Sequence, residues 1–392
     1  MKPLQQNFQI PYSYSVYFTQ NLFRTDNTLL ADFLNNYGLQ ESKKKALFVI
    51  DKGLLPFYPN LVQQIQEYFT EERTSVALVS DIITVTGGEE VKNDTDQLNK
   101  VIEAVDQYGI DRHSFLIAIG GGAVLDMAGY AAAVSHRGVK HVRIPTTVLS
   151  QNDSGVGVKN GVNFQGKKNF LGTFVPPIAV FNDSEFLKTL DDRDWRSGIS
   201  EALKVALIKD SSFFEWMEEE VHNLANRDLD AMNQLIYRCA EMHLEHIRSG
   251  DPFESGSSRP LDFGHWAAHK LEYLTHFEIR HGEAVAIGIA LDCAYSYLTG
   301  RLTFDDLKRI LDVFIKLGFE LYHPKLEENN KENLIVGLNE FREHLGGRLT
   351  IMLLDQIGKG VEVHEMDNQL IIDSVNFLAD YRISPVEVSI GV

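Results

Sequence analysis

In the first half of the chain, short apolar runs alternate with segments of helical period. Residues 46–50 predict a buried strand that ends at Asp51, residues 75–79 a second and residues 115–119 a third. Between the last two, Asp94 and Thr95 offer N-caps, Leu98, Val101, Ile102 and Val105 follow at i, i+3, i+4, i+7, and Gly109 closes the helix. Strand, helix, strand implies a parallel sheet, and residues 141–144 and 178–181 continue the pattern. After Asn182 the texture changes to long amphipathic helices with few strand signals, over residues 195–209, 213–225, 228–249, 263–273, 283–298 and 305–317. Leu349, Ile351 and Leu353 alternate within residues 346–354 and predict an outlying strand there. The expected organisation is an open parallel-sheet α/β domain over residues 1–185 and a mostly helical domain over 186–392, without internal repeats.

Composition narrows the functional classes. A chain of 392 residues suits two domains, and 44% hydrophobic with 23% charged residues is ordinary globular composition, which excludes disordered, collagenous and disulfide-stapled classes. Thirty-seven basic against 55 acidic residues give a net charge of −18, which argues against a nucleic-acid partner. A small anionic ligand needs only a few Lys and Arg in one cleft and stays possible. Cys239 and Cys293 can build neither a disulfide framework nor a Cys-rich zinc site and read as reduced core residues. The first residues lack the basic and apolar regions of a signal peptide, and the longest apolar stretch, 115–134, carries Asp126 and three consecutive glycines, so it fails as a membrane span. A cytoplasmic protein without a membrane partner is expected.

Three local patterns could carry chemistry. Gly120, Gly121 and Gly122 follow a strand and open a helix containing Asp126; backbone without Cβ lets a diphosphate approach, and the helix N-terminus supplies amide donors. Leu125 occupies the third glycine position of the G-x-G-x-x-G fingerprint, so a tight turn without ligand is the competing reading. Asp51 could accept from a ribose or cap a turn. Gly161-x4-Gly166-Lys167 imitates a phosphate loop, but Lys168 stands where Ser or Thr must bind magnesium and no convincing strand precedes, which excludes a nucleoside triphosphatase. Lys159, Lys167, Lys168 and Asn169 then crowd one Gly-rich loop, suited to an anion or merely solvated. In the third pattern His265 and His269, four apart, share a helix face, His281 starts the next helix with Glu283 beside it, and Glu201 is the obvious carboxylate partner, with Lys204 one turn later. No H-E-x-x-H is present, which removes the ordinary zinc protease; a surface histidine pair is the alternative.

Two dense blocks, HRGVKHVRIPTTVLSQNDSGVGVKNGVNFQGKKNFLGTF followed by SEALK, and FGHWAAHKLE followed by HGEAVAIG, give the chain a recognisable order. It resembles the 3-dehydroquinate synthase family of sugar phosphate cyclases over nearly its full length. The resemblance implies an NAD site at Asp51, Glu89, Lys92, Gly120, Gly121, Gly122, Asp126, Thr146 and Thr147. It implies a divalent metal, usually zinc, on Glu201, His265 and His281, with His269 at the substrate and not a ligand. Asp153, Lys168, Lys204 and His269 are then the expected catalytic residues, and Lys159, Asn169, Asp262 and Arg259 the expected substrate contacts. Arg137 matches an arginine that reaches across a homodimer to a phosphate.

The implied chemistry is that of a lyase. A secondary alcohol of a phosphorylated sugar is oxidised by NAD with metal assistance, phosphate leaves by β-elimination, the hydride returns, and ring opening with an intramolecular aldol step closes a carbocycle. Lysines near the developing alkoxide or enolate would stabilise its charge. The departures concern the substrate. Arg259 stands only three residues before Asp262, where the synthases have R-x-x-x-N; His243 replaces a lysine; Glu340-Phe341-Arg342 replaces a D-K-K segment. These positions help hold the carboxylate and ring hydroxyls of 3-deoxy-arabino-heptulosonate 7-phosphate, and an Asp there would repel a carboxylate. Dehydroquinate synthesis in the shikimate pathway is the leading expectation. A cyclase of another ketose phosphate, such as sedoheptulose 7-phosphate, and a metal-dependent polyol dehydrogenase of the glycerol dehydrogenase type are the alternatives.

Overall fold

A computed structural model describes residues 3–38, 44–70, 73–165, 167–249, 253, 262–344 and 347–383. They divide into two compact units, one of residues 1–146 and 154–186, the other of residues 147–153 and 187–392. No helix among the described residues is long and apolar enough to cross a membrane.

The first unit is built on a parallel sheet. Its strands are β1 (Ser15–Thr19), β2 (Lys45–Asp51), β3 (Ala77–Leu78), β4 (Ile83–Val85), β5 (Phe115–Gly120), β6 (Lys140–Pro145) and, after the hairpin β7 (Lys159–Phe164) and β8 (Lys167–Phe174), β9 (Ala179–Asp183). The order is β1-β9-β6-β5-β2-β3, with β4 also on the edge of β2. All seven pair in parallel. The central strands read as unbroken apolar runs because helices cover both faces. Ala46, Phe48 and Ile50 of β2 with Phe115, Ile117 and Ile119 of β5 pack one way, onto α1 (Leu29–Asn36) and α2 (Leu61–Tyr68). The alternate residues Leu47, Val49, Leu116 and Ala118 pack the other way, onto α3 (Thr95–Gln107) and α4 (Gly122–Val134). Asp94 caps α3 through the amides of Asp96 and Gln97, and Gly109 ends that segment at φ +59°.

The second unit is helical: α5 (Asp192–Lys209), α6 (Ser211–Glu219), α7 (Val221–Ala225), α8 (Leu229–Arg248), α9 (His265–Leu274), α10 (His281–Leu298), α11 (Phe304–Lys316), α12 (Glu332–His344) and α13 (Asn368–Ile383), with a hairpin of β10 (Ile351–Gln356) and β11 (Lys359–Val363). Helix α10 is buried on every side from Ala284 to Ser296 and forms the axis of this core. Both cysteines are buried and free, and burial raises their thiols well above the usual range.

Several sequence expectations need correction. The Gly-rich lysine segment is not a loop but the hairpin β7–β8, so a strand does precede Lys167; Gly166 itself lies outside the described residues. The segment 213–225 breaks at Glu220 into two helices, and the outlying strand starts only at Ile351 and acquires a partner. The strand predicted at 75–79 is reduced to Ala77–Leu78. Strands β1 and β4 went unpredicted, β1 because its exposed positions interrupt the apolar run.

Helices α9 and α10 meet where Gly264, at φ +77°, faces Gly288; a Cβ on Gly288 would lie 2.0 Å from the Gly264 carbonyl oxygen. Gly288→Ala is therefore expected to force the helices apart and to lower unfolding stability by about 1–3 kcal/mol, measured by chemical denaturation.

Candidate functional site

Three helices of the second unit converge through backbone. The Gly282 amide donates to Ser197 Oγ at 3.2 Å, and a Cβ on Gly282 would sit 2.2 Å from the Ser197 carbonyl, so only glycine lets α10 come this close to α5. One turn along α5 stands Glu201. His281 is the first residue of α10 and His265 the first of α9. The ligand-type atoms of Glu201, His265 and His281 lie within 4.8 Å of one another, with Glu201 Oε1 3.6 Å from His265 Nε2 and 3.4 Å from His281 Nε2.

The electrostatics of this group are those of a cation site. Glu201 is 1% exposed, and among the described residues its carboxylate meets Lys204 and the two imidazoles but no backbone donor. Lys204 forms an ion pair with it. Burial alone would raise the Glu201 pKa, but Lys204, His265 and His281 outweigh it and hold the carboxyl well below the usual range. Burial and the Lys204 charge push His265 down to about 3, whereas Glu201 and Glu272 overcome burial and bring His281 up to about 9. The far ring nitrogens are held: His265 Nδ1 lies 3.1 Å from the Phe263 carbonyl and His281 Nδ1 3.3 Å from Glu272 Oε1, which turns both Nε2 atoms toward Glu201. Two imidazoles and one carboxylate with an open side are a donor set that fits a borderline divalent cation such as zinc. A cation arriving there must displace the His281 proton.

His269 stands beside this group rather than in it, exposed, with its ring 5.6 Å from that of His265, 6.3 Å from that of His281 and 6.5 Å from that of Phe341. Glu283 is turned elsewhere, paired with Arg193 and accepting from the Arg280 amide. Asp153 and His243 approach to 2.8 Å. Burial pushes Asp153 upward, but His243 and Lys204 hold its carboxyl below the usual range. Asp262, half-buried, receives the His265 amide on its backbone carbonyl at 3.0 Å. Lys270, buried, pairs with Glu340 at 2.9 Å. Arg259 lies outside the described residues.

In the first unit β5 runs directly into the Gly120–Gly121–Gly122 turn and α4. Gly121 is the N-cap and brings no side chain to the free amides of the first turn, which holds no acidic residue; this arrangement fits a diphosphate. The Thr146 amide donates to the Gly120 carbonyl, which ties the end of β6 to the turn. Thr147 belongs to the other unit, where its hydroxyl meets Ser150 Oγ. Asp51 caps the turn after β2 through the Gly53 amide, and Lys92 joins Asp126 at 3.1 Å and Glu89 at 3.6 Å. Lys159, Lys168 and Asn169 are exposed on the hairpin, Asn169 at φ +53°. Arg137 is exposed after α4, with His136 and Arg137 both at positive φ.

Sequence reasoning gave no role to Glu272, although it lies seven residues after His265 and hence on the same helix face. It also passed over Asp292, the one carboxylate in the apolar stretch of α10 that follows Glu283.

Comparison with known proteins places these features in a family. Residues 82–197 match the family described as 3-dehydroquinate synthase N-terminal, and residues 198–337 match 3-dehydroquinate synthase C-terminal. The 3-dehydroquinate synthase of Nitrosomonas europaea is 33% identical over 365 residues, 93% of this chain and 94% of that one. That of Nitrosospira multiformis is 33% identical over 347 residues, 88% and 89% of the two chains. Among solved structures, 2-epi-5-epi-valiolone synthase from Streptomyces hygroscopicus subsp. jinggangensis, with NAD+ and Zn2+ bound, is 30% identical with a TM-score of 0.85, covering 96% of this chain and 99% of that one.

Replacing Glu201, His265 or His281 by Ala is expected to abolish stoichiometric zinc, whereas His269→Ala should retain most of it; metal analysis of the dialysed proteins decides, and equal loss in His269→Ala would show a three-histidine site. NAD should raise the melting temperature of the zinc-loaded chain, since at a hundred times its Kd a ligand adds about 2.7 kcal/mol to the native state; no shift at millimolar NAD would remove the assignment.

Proposed function

The chain belongs to the 3-dehydroquinate synthase family, and we propose that within it this protein closes a ketose phosphate lacking a carboxylate, of the sedoheptulose 7-phosphate kind, into a carbocycle. As a member of that family it is a phosphate-eliminating, lyase-type enzyme. The observation that carries the substrate reading lies where the synthases place lysines. Here His243 is engaged with Asp153, Glu340 is spent on Lys270, and the buried Phe341 ring faces His269. A histidine already facing a carboxylate and an apolar ring offer a substrate carboxylate little, while Asp262 would repel it.

Glu201, His265 and His281 would hold the cation, and the first turn of α4 with Asp51 would hold the dinucleotide. When bound, NAD supplies a reversible hydride acceptor and the metal lowers the pKa of a substrate alcohol. The protein's own residues carry the remaining work. Lys204, whose ammonium is stabilised by Glu201 and Asp153 against its burial, would offset negative charge developing on a substrate oxygen. Asp153 with His243 can take up the proton that leaves carbon while the adjacent C–O bond to phosphate breaks. Lys159 and Lys168 would neutralise the departing phosphate and Asn169 would donate a hydrogen bond to it, with Arg137 of a second copy completing its shell in a homodimer.

Phosphate release from sedoheptulose 7-phosphate and from 3-deoxy-arabino-heptulosonate 7-phosphate tests the reading. The first is expected to exceed the second by about ten- to a hundredfold in kcat/KM, the worth of one lost charge-assisted contact. Efficient turnover of the carboxylate substrate that collapses in Arg259→Ala would instead establish dehydroquinate synthesis through a displaced arginine.

A further inference from the structure

Asp292 lies in the middle of α10 and is 0% exposed. Burial pushes its pKa up to about 7, only partly opposed by two donors. Those donors lie on either side of His265. Asp292 Oδ2 accepts from the Gly264 amide at 2.9 Å, and Oδ1 accepts from Trp266 Nε1 at 2.8 Å. Gly264 is the N-cap of α9; having no side chain, it cannot cap the helix, and its own amide has no partner within α9. The carboxylate supplies that acceptor and sets a negative charge at the helix N-terminus, where it is favoured. It also secures the φ of +77° that turns the chain into α9, and the 3.1 Å approach of His265 Nδ1 to the Phe263 carbonyl depends on that turn.

A carboxylate is an expensive way to fill space in an apolar helix, since well-packed apolar side chains usually serve stability as well or better. Its two acceptors do something a leucine cannot: they fix the peptide before His265 and the side chain after it. We propose that Asp292 is a positioning residue of the Glu201, His265 and His281 centre, holding residues 263–266 so that His265 Nε2 is aimed at Glu201. The inference rests on the metal reading given above.

Two double variants of the full chain separate aim from packing. In Asp292→Asn with Trp266→Phe, the amide oxygen still accepts from Gly264, and its NH2 faces a ring instead of an opposing N–H. In Asp292→Leu with Trp266→Phe, the acceptor is gone. Zinc affinity by chelator competition and the visible spectrum of the cobalt(II)-loaded protein are read beside circular dichroism and the metal-free melting temperature. The Asn double variant is expected to stay within about threefold of wild type, and the Leu double variant to lose about ten- to a hundredfold in zinc affinity and to change its cobalt spectrum at unaltered helix content. Equal zinc affinities and cobalt spectra in the two would overturn the proposal. If the Leu variant does not fold, Asp292→Asn alone, which must turn its NH2 toward an N–H, is compared with the Asn double variant: weaker zinc in the single variant supports the proposal and equal binding overturns it. A wild-type chain that takes up neither zinc nor cobalt would remove the metal reading itself, and with it this inference.

Discussion

A buried carboxylate with no backbone donor on either oxygen among the described residues sets the terms for the second unit. Withdrawing an ion from water costs several kcal/mol even after relaxation, and at Glu201 the ion pair with Lys204 offsets only part of that. What remains is a strong local demand for positive charge, which His281 meets with a proton in the absence of metal and a divalent cation would meet better. The demand explains why three helices are packed closely enough for a Cβ to be intolerable at their crossings. Helix α10 approaches α5 at Gly282 and α9 at Gly288, and the three donor side chains sit within one turn of the Gly282 crossing or the α9 N-terminus.

The first unit shows a comparable division of labour around a buried arginine. Arg143, fully buried in β6, donates to the carbonyls of Gly155, Gly157 and Lys159 and to Asn160 Oδ1 at 2.7–3.0 Å. One guanidinium thereby organises the segment leading into β7, a use of its rigid donor fork that a lysine could not reproduce. Ser154, at the start of that segment, lies where a Cβ on Gly122 would come within 2.5 Å of its hydroxyl. The glycine turn is thus shaped from outside as well as by its own flexibility.

The sheet was legible because strands covered on both faces must be apolar throughout, and β2 and β5 read that way without ambiguity. The edge strand β1 and the short β4 were not, since half-exposed or brief segments carry no such run. In the helical unit the spacing of His265 and His269 revealed a shared face but not which histidine would join Glu201. That is decided by where α9 starts, and its start depends on a left-handed glycine and on a carboxylate 28 residues later in the chain. The hairpin β7–β8 was hidden for another reason: its strands are rich in Gly, Lys and Asn, residues that signal a loop locally.

Among the described residues strand β1 has β9 as its only neighbour in the sheet, with Ser15 opposite Ala179. During synthesis this segment therefore emerges before its partner and must wait until β9 has left the ribosome before it can join. For that interval Val16, Tyr17, which in the folded sheet stacks on Phe181, and the backbone donors have no native strand to pair with, so in a growing chain this is a stretch for which chaperones and aggregation compete.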